Sequence, residues 1–376
     1  MHEKYSNPAL EELVTSTKVV KRNLQILAVV AEAQHLHGVF ECVDLPAAIL
    51  SLDPRLLYQF WLTYEKELKH ETAGFVKAVR RSLPAQYAPF VYLGMTSNDL
   101  MDTAAAMLWD EIWEDHLRPD VHALGAQLTS LAQESDQRMG RTHGRLAEPV
   151  EIGASYSRAF RALENVNEDL GSHYIPGKLS GPVGQHNAAL TREVESHALR
   201  RLGLSADACA SQIVDRHFYR RVATDLVELA CICEQLATLH RLSAIQGVDT
   251  FAEGFHDGVQ MGSSVMPFKR NPIRSERICG LARIARSSLS ALLETWSTSW
   301  WERSLDNSSV ERTAWWDLIQ LTSFILGQTS KVLDEGQWRN DIPADYVSPT
   351  DELIQRSING QVPEDVYREI QARSPK

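Results

Sequence analysis

The chain has 376 residues, 44% of them apolar, and a formal net charge of -11. That length and composition allow a large core in two or three parts, and the acidic balance argues against nucleic acid or an anionic membrane as a partner. No stretch approaches 18 uninterrupted apolar residues, and residues 1–10 lack a basic then apolar leader, so the expected setting is the cytoplasm.

The first ninety or so residues carry short helical patterns broken at Gly38, Pro46, Pro54 and Pro84, which predicts a small helical domain over 1–92. Breaker-poor, amphipathic stretches follow at Leu100–Leu117 and Ala154–Leu170. Between Gly203 and Gly247 there is no glycine or proline, and apolar residues recur at Val222, Leu226, Leu229, Cys233, Leu236, Leu239, Leu242 and Ile245. Steps of three and four are helical, and one helix over most of that interval would be about 50–60 Å long at 1.5 Å per residue. A further stretch runs from Leu281 to Leu326. No sustained alternation of apolar and polar residues is present, and no GxGxxG follows a strand. The expected fold is all-α, with a bundle of long helices over 93–338. After Trp338 the sequence turns polar, with Pro343, Pro349 and Pro363, leaving a short C-terminal segment, 339–376, with one helical pattern around Asp351–Ile358.

The five cysteines are scattered without a CxxC pair, and the thirteen histidines form no HExxH, so reduced thiols, mostly in the core, and neither metal nor cofactor are expected. The chemistry concentrates in four islands where the helical pattern breaks. They are Gly94-Met95-Thr96-Ser97-Asn98-Asp99, Gly140-Arg141-Thr142-His143-Gly144-Arg145, the loop Gly262-Ser263-Ser264-Val265-Met266-Pro267-Phe268-Lys269-Arg270-Asn271-Pro272, and Trp301-Glu302-Arg303-Ser304 with Asn307-Ser308-Ser309-Val310-Glu311-Arg312. Paired hydroxyls at a helix start suit a carboxylate, and arginines suit a phosphate or second carboxylate. Gly254, Gly258 and Gly262 free one end of the loop while Pro267 and Pro272 stiffen the other, the signature of a lid over 254–272 that carries a catalytic group.

In this order the islands resemble the fumarase/aspartase superfamily, and their variants most resemble its adenylosuccinate lyase family; the similarity covers roughly residues 1–335. It implies a three-part helical fold and a homotetramer whose active sites are shared between subunits. It implies a small anionic substrate, an N-succinyl purine nucleotide or its ring-opened imidazole precursor, from which fumarate is eliminated. Ser263 would be the general base, with its alkoxide stabilised by Lys269 and backbone N–H groups, and His143 the general acid toward the leaving nitrogen. His70 and Glu276 would orient or tune that acid. Thr96, Ser97, Thr142, Lys269 and Asn271 would hold the carboxylate whose charge grows in the carbanion, and Gln212 would contact substrate. Lys4, Tyr5, Arg277, Arg303, Ser308 and Arg312 would bind the nucleotide end.

Three departures from the family pattern stand out. Tyr92 occupies the place of a histidine shortly before the Thr-Ser pair, Arg145 that of a glutamine, and the C-terminal part is short. They motivate a second reading, a specialised lyase that releases fumarate from another N-substituted succinate or modified nucleotide. Trp296, Trp300, Trp301, Trp315 and Trp316 are expected in the core or at subunit contacts.

Overall fold

The computed structural model describes residues 3–256, 259–261, 263–266 and 268–373. Helices α1 (Pro8–Leu13), α2 (Ser16–Leu36), α3 (Leu45–Leu50), α4 (Pro54–Leu68) and α5 (Glu71–Ser82) come first. They are followed by α6 (Ser97–Ile112), α7 (Arg118–Leu131), strands β1 (Gln137–Thr142) and β2 (Arg145–Glu151), α8 (Gly153–Ser172), α9 (Arg192–Arg201) and α10 (Arg216–Ser243). Then come β3 (Phe251–Ala252), α11 (Ile273–Ser297), α12 (Asp306–Val310), α13 (Trp316–Glu335), β4 (Gln337–Trp338), α14 (Pro349–Ile358) and α15 (Pro363–Arg373). The fold is all-α, as expected from the sequence, and among the described residues no helix is long and apolar enough to cross a membrane.

Helices α10, α11 and α13 pack against one another as the centre of the bundle. The predicted stripe of α10 is buried from Val222 through Leu226, Leu229 and Cys233 to Leu236, but Leu242 is exposed, and so is Ile245, which lies past the helix end at Ser243. Facing the buried stripe, α11 offers Cys279, Ala282 and Ala285, all buried and small enough to let the helices approach closely. At the start of α10, Asp215 accepts from the His217 N–H at 2.8 Å, satisfying one of the orphan donors of the first turn.

Four expectations are corrected. Helix α10 has 28 residues, about 42 Å at 1.5 Å per residue, because the segment before Asp215 is held in turns by its own side chains, such as Asp207 Oδ1 accepting from Cys209 N at 3.0 Å. The stretch Leu281–Leu326 is not continuous: α11 ends at Ser297, and the chain turns through Trp301, at φ 47°, before α12 begins. The Thr-His-Gly island is a β-hairpin, since β1 pairs antiparallel with β2 and the register closes at Thr142↔Arg145. The C-terminal segment carries two helices, α14 and α15, where one was expected; Ser348 caps the first, accepting from Asp351 N at 3.0 Å.

One smaller correction concerns a single residue. Cys209 is exposed, unlike the buried Cys233 and Cys279. Among the tryptophans Trp296 is buried, whereas Trp300 and Trp301 are 67% and 93% exposed on this chain, which leaves subunit contact as their expected role.

Candidate functional site

The Thr-Ser island opens α6. Gly94, at φ 76°, makes the preceding turn, and a Cβ there would meet Asn187 Oδ1 at 2.6 Å. Only glycine fits both constraints. Asp99, fully buried, is the anchor: its carboxylate accepts from Thr96 N at 2.7 Å, Ser180 N at 3.1 Å, Gly181 N at 3.2 Å and Lys178 Nζ at 2.6 Å. Burial raises the Asp99 carboxyl pKa, and Lys178 with the backbone donors pulls against that rise. The result is a rigid shelf that presents Thr96 and Ser97 to a cavity of about 830 Å³, which His70 and Tyr92 also line.

His70 stands at a helix start. It is the N-cap of α5, where Nδ1 accepts from Ala73 N at 3.3 Å, because an imidazole nitrogen can satisfy an orphan N–H as an Asx side chain does. Next to it, Glu71 pairs with Arg312. Tyr92 is held at φ 64°, and its hydroxyl pKa is pushed up by burial and then by the Asp99 charge.

A second knot joins this shelf to the tryptophan-rich island. Arg216, fully buried, gives Nη2 to Asp102 Oδ1 at 3.1 Å and Nε to Glu311 Oε1 at 2.7 Å, and stacks over the Tyr219 ring at 4.7 Å. Glu311 also accepts from Trp296 Nε1 at 2.8 Å. With that scaffold in place, Arg303 Nη1 reaches Asn98 Oδ1 and Gln212 Oε1, the latter at 3.2 Å. The Arg303 Nε is buried and unpartnered, so part of the guanidinium remains unsatisfied. Ser308 lies on the following α12. The N-terminal turn with Lys4 and Tyr5 lies against α13, where Tyr5 meets Phe324 edge-on and Asn7 Nδ2 donates to Ser323 Oγ at 2.9 Å.

The remaining predicted residues lie at the opposite end of the bundle. Ser263 Oγ accepts from Met266 N at 3.1 Å and Val265 N at 3.4 Å, so two N–H dipoles already face the oxygen on which alkoxide charge would develop. Lys269 is exposed, and its backbone N–H closes a turn onto Met266 O at 3.1 Å. Gly258, Gly262 and Pro267, on which part of the lid reading depends, lie outside the described residues. Glu253 fixes the base of the loop by capping α11: its carboxylate takes Arg274 N at 3.0 Å, Ser275 N at 2.8 Å and Ser275 Oγ at 2.9 Å. Asn271 precedes that cap, and Glu276 and Arg277 lie on the first turns of α11, Glu276 exposed.

His143 forms the tip of the β1–β2 hairpin together with Gly144. Their φ values of 51° and 76° are those of a two-residue turn that needs left-handed backbone at both positions. Thr142 and Arg145 flank the tip, and all four residues are exposed. Among the described residues His143 makes no hydrogen bond or ion pair with Ser263, Thr96 or His70. The hairpin is tied to the loop end of the bundle: Met139 N donates to Asp341 Oδ1 at 2.7 Å, and a cavity of about 470 Å³ beneath it is lined by Arg141, Gly144, Leu242 and Thr250.

One chain therefore brings together Thr96, Ser97 and His70 in one cavity, and Gln212 with Arg303 beside it. It leaves Ser263 and His143 at the far end of α10. The sequence reading missed Asp99, Asp102, Lys178, Arg216, Glu253 and Glu311 as the residues that hold these groups in place. Asp99 had a signal, an acid three residues after a Thr N-cap. The others had none, because a buried charge next to a distant partner looks like a surface charge in sequence. Among the described residues no cluster of three His, Cys, Asp or Glu side chains suits a metal ion.

A family model described as Lyase matches residues 63–286. An adenylosuccinate lyase of Synechocystis sp. (strain ATCC 27184 / PCC 6803 / Kazusa) is 31% identical over 99% of this chain and 87% of that protein. One from Helicobacter pylori (strain J99 / ATCC 700824) is 32% identical over 89% of this chain and 76% of its own length. Among solved structures, a 3-carboxy-cis,cis-muconate lactonizing enzyme from Pseudomonas putida superposes with a TM-score of 0.83 at 19% identity, covering 98% of this chain and 85% of that one. A fumarate lyase from Mesorhizobium sp. BNC1 gives 0.81 at 17% identity, covering 99% and 87%. At such identities the structural matches speak for the fold alone.

Proposed function

The chain belongs to the adenylosuccinate lyase family of the fumarase/aspartase superfamily, and from that membership we propose that it eliminates fumarate from adenylosuccinate as a carbon–nitrogen lyase. The ring-opened succinyl imidazole nucleotide is a second substrate of the same chemistry. Ser263, as alkoxide, takes a proton from the succinyl carbon next to the carboxylate. The electron pair is held as a carbanion whose charge spreads onto that carboxylate, bound by Lys269, Asn271, Thr96, Ser97 and Thr142. The carbon–nitrogen bond then breaks, the pair forms the fumarate double bond, and His143 protonates the departing nitrogen.

The observation that carries this reading is the Ser263 turn, with two backbone N–H groups directed at its oxygen. A serine hydroxyl is a poor base because its alkoxide is costly in water; donors fixed before the reaction lower that cost without reorganising. His70 and Glu276 orient the acid; Gln212 contacts substrate, and Lys4, Tyr5, Arg277, Arg303, Ser308 and Arg312 hold the nucleotide.

Helix α10, about 42 Å long, runs between the Thr96–Ser97 end and the Ser263–His143 end, which supports a site whose residues come from different copies of the chain. We assign a homotetramer with shared sites, acting on a small anionic substrate in the cytoplasm, and a division into 1–92, 93–338 and 339–376. Mixing purified protein with adenylosuccinate and following the fall in absorbance together with released fumarate tests the reaction. Turnover of a simpler aminosuccinate alone would replace this substrate with another, and a monomer by light scattering would overturn the shared site.

A further inference from the structure

The cavity of about 830 Å³ beside α5 carries charge that the elimination above does not use. Besides His70, Thr96 and Ser97 it is lined by Lys77, Arg80 and Arg81, and by no aspartate or glutamate. That is a cationic pocket on a chain of net charge -11. The three cations are not equivalent. Lys77 is answered within the fold, with Nζ 2.6 Å from Glu67 Oε1 and 4.6 Å from the Tyr64 ring centre. Arg80 gives Nη2 to the Val91 carbonyl at 2.9 Å and has no carboxylate partner among the described residues, so most of its five donors remain available. Arg81 is exposed and makes no ion pair or side-chain hydrogen bond among the described residues.

The Arg80 bond to Val91 immediately precedes Tyr92, the residue held at φ 64°. It anchors a turn that sets the Tyr92 ring into the same cavity as Ser97. The Tyr92 phenol is neutral near pH 7 and can donate to an anion, and burial and then the Asp99 charge push its pKa further up. Two guanidinium groups and a neutral hydroxyl around one cavity match the planar, multiply accepting carboxylate.

We propose that Arg80 and Arg81, with the Tyr92 hydroxyl, form a second oxyanion subsite beside Thr96 and Ser97 that holds a carboxylate of the released dicarboxylate. This rests on fumarate being the product. The subsite slows departure of fumarate and makes the enzyme more sensitive to it than to the nucleotide product.

Product inhibition of the whole oligomer tests the assignment. In the double variant Arg80→Gln, Arg81→Gln the inhibition constant for fumarate is expected to rise at least tenfold, while that for adenosine monophosphate stays within twofold. Arg81→Gln alone removes no internal contact and should show part of the same shift at an unchanged melting temperature. An unchanged fumarate constant in both variants, or an equal rise for both products, overturns the subsite. Calorimetry separates the anion sources: loss of inorganic phosphate binding with fumarate binding kept would assign the site to phosphate and overturn the dicarboxylate. If the wild-type protein forms no fumarate from adenylosuccinate, the reaction fails on its own, and calorimetric titration with fumarate still decides the subsite.

Discussion

The two ends of the central bundle are built on opposite principles. At the start of α6 and α10, polar side chains are buried and paired: Lys178 with Asp99, and Arg216 with Asp102 and Glu311. At the other end, the Ser263 loop and the His143 hairpin stand out from the bundle, with Val265 and Phe268 82% and 83% exposed. Buried ion pairs contribute little net stability but hold geometry, because breaking one strands a charge. Exposed loops hold little geometry and are free to close on a ligand or a neighbouring chain. On the proposed reading, the rigid end presents Thr96 and Ser97 in fixed positions, while Ser263, His143, Lys269 and Asn271 belong to the adaptable one.

The largest effect should come from uniting the two ends in different chains. Ser263→Ala at the loop end and Ser97→Ala at the other end are each expected to lower kcat, the first by about 10²–10⁴-fold, with folding intact. Co-refolding the two impaired variants should restore activity, because some shared sites then carry both intact residues; steady-state assays that find the mixture no more active than its parents would break the comparison.

Next comes the rigid end. Lys178→Met leaves the Asp99 carboxylate buried without its partner and is expected to cost about 3–5 kcal/mol in urea denaturation. The same experiment on Lys269→Met, at the exposed loop, should move stability by less than about 0.5 kcal/mol.

Acid should act through the core under the loop end. His240 is buried against Phe251, its Nε2 3.2 Å from the Tyr156 hydroxyl, and burial lowers its pKa to about 3. The folded protein keeps it neutral while the unfolded chain protonates near 6.5. Its contribution is therefore complete above pH 6.5 and is lost as pH falls toward 3, by about 1.4 kcal/mol per pH unit. Denaturation curves across that window should flatten in His240→Phe; an unchanged slope would remove His240 as the cause.

The smallest effect on catalysis belongs to the hairpin tip. Gly144→Ala puts a Cβ on a residue at φ 76° and should cost about 1 kcal/mol, with a larger loss of kcat than of substrate affinity because it tilts His143. Equal losses in kcat and affinity would place the hairpin among the binding elements.

The legible and the hidden parts of the molecule divide along the same line. The stripe from Val222 to Leu236 predicted the buried face of α10, because helix periodicity is a property of neighbours in sequence. The four islands were visible because breakers and polar residues interrupt that periodicity. The hairpin was not, because its strands are short, half polar and defined by pairing Gln137 with Glu151, fourteen residues away. The capping role of His70 was also hidden, since its partner is a backbone N–H that exists only once α5 forms.

The sequence by itself determined the helical class, the groups available for the chemistry and their order along the chain, all of which depend on local spacing and residue type. Only the tertiary structure decided that Asp99 and Lys178 lock the Thr96–Ser97 shelf, and that α10 holds this shelf and Ser263 apart. Both depend on which distant residues share a low-dielectric interior, and on the length of a helix whose ends are fixed by caps and packing rather than by its own propensity.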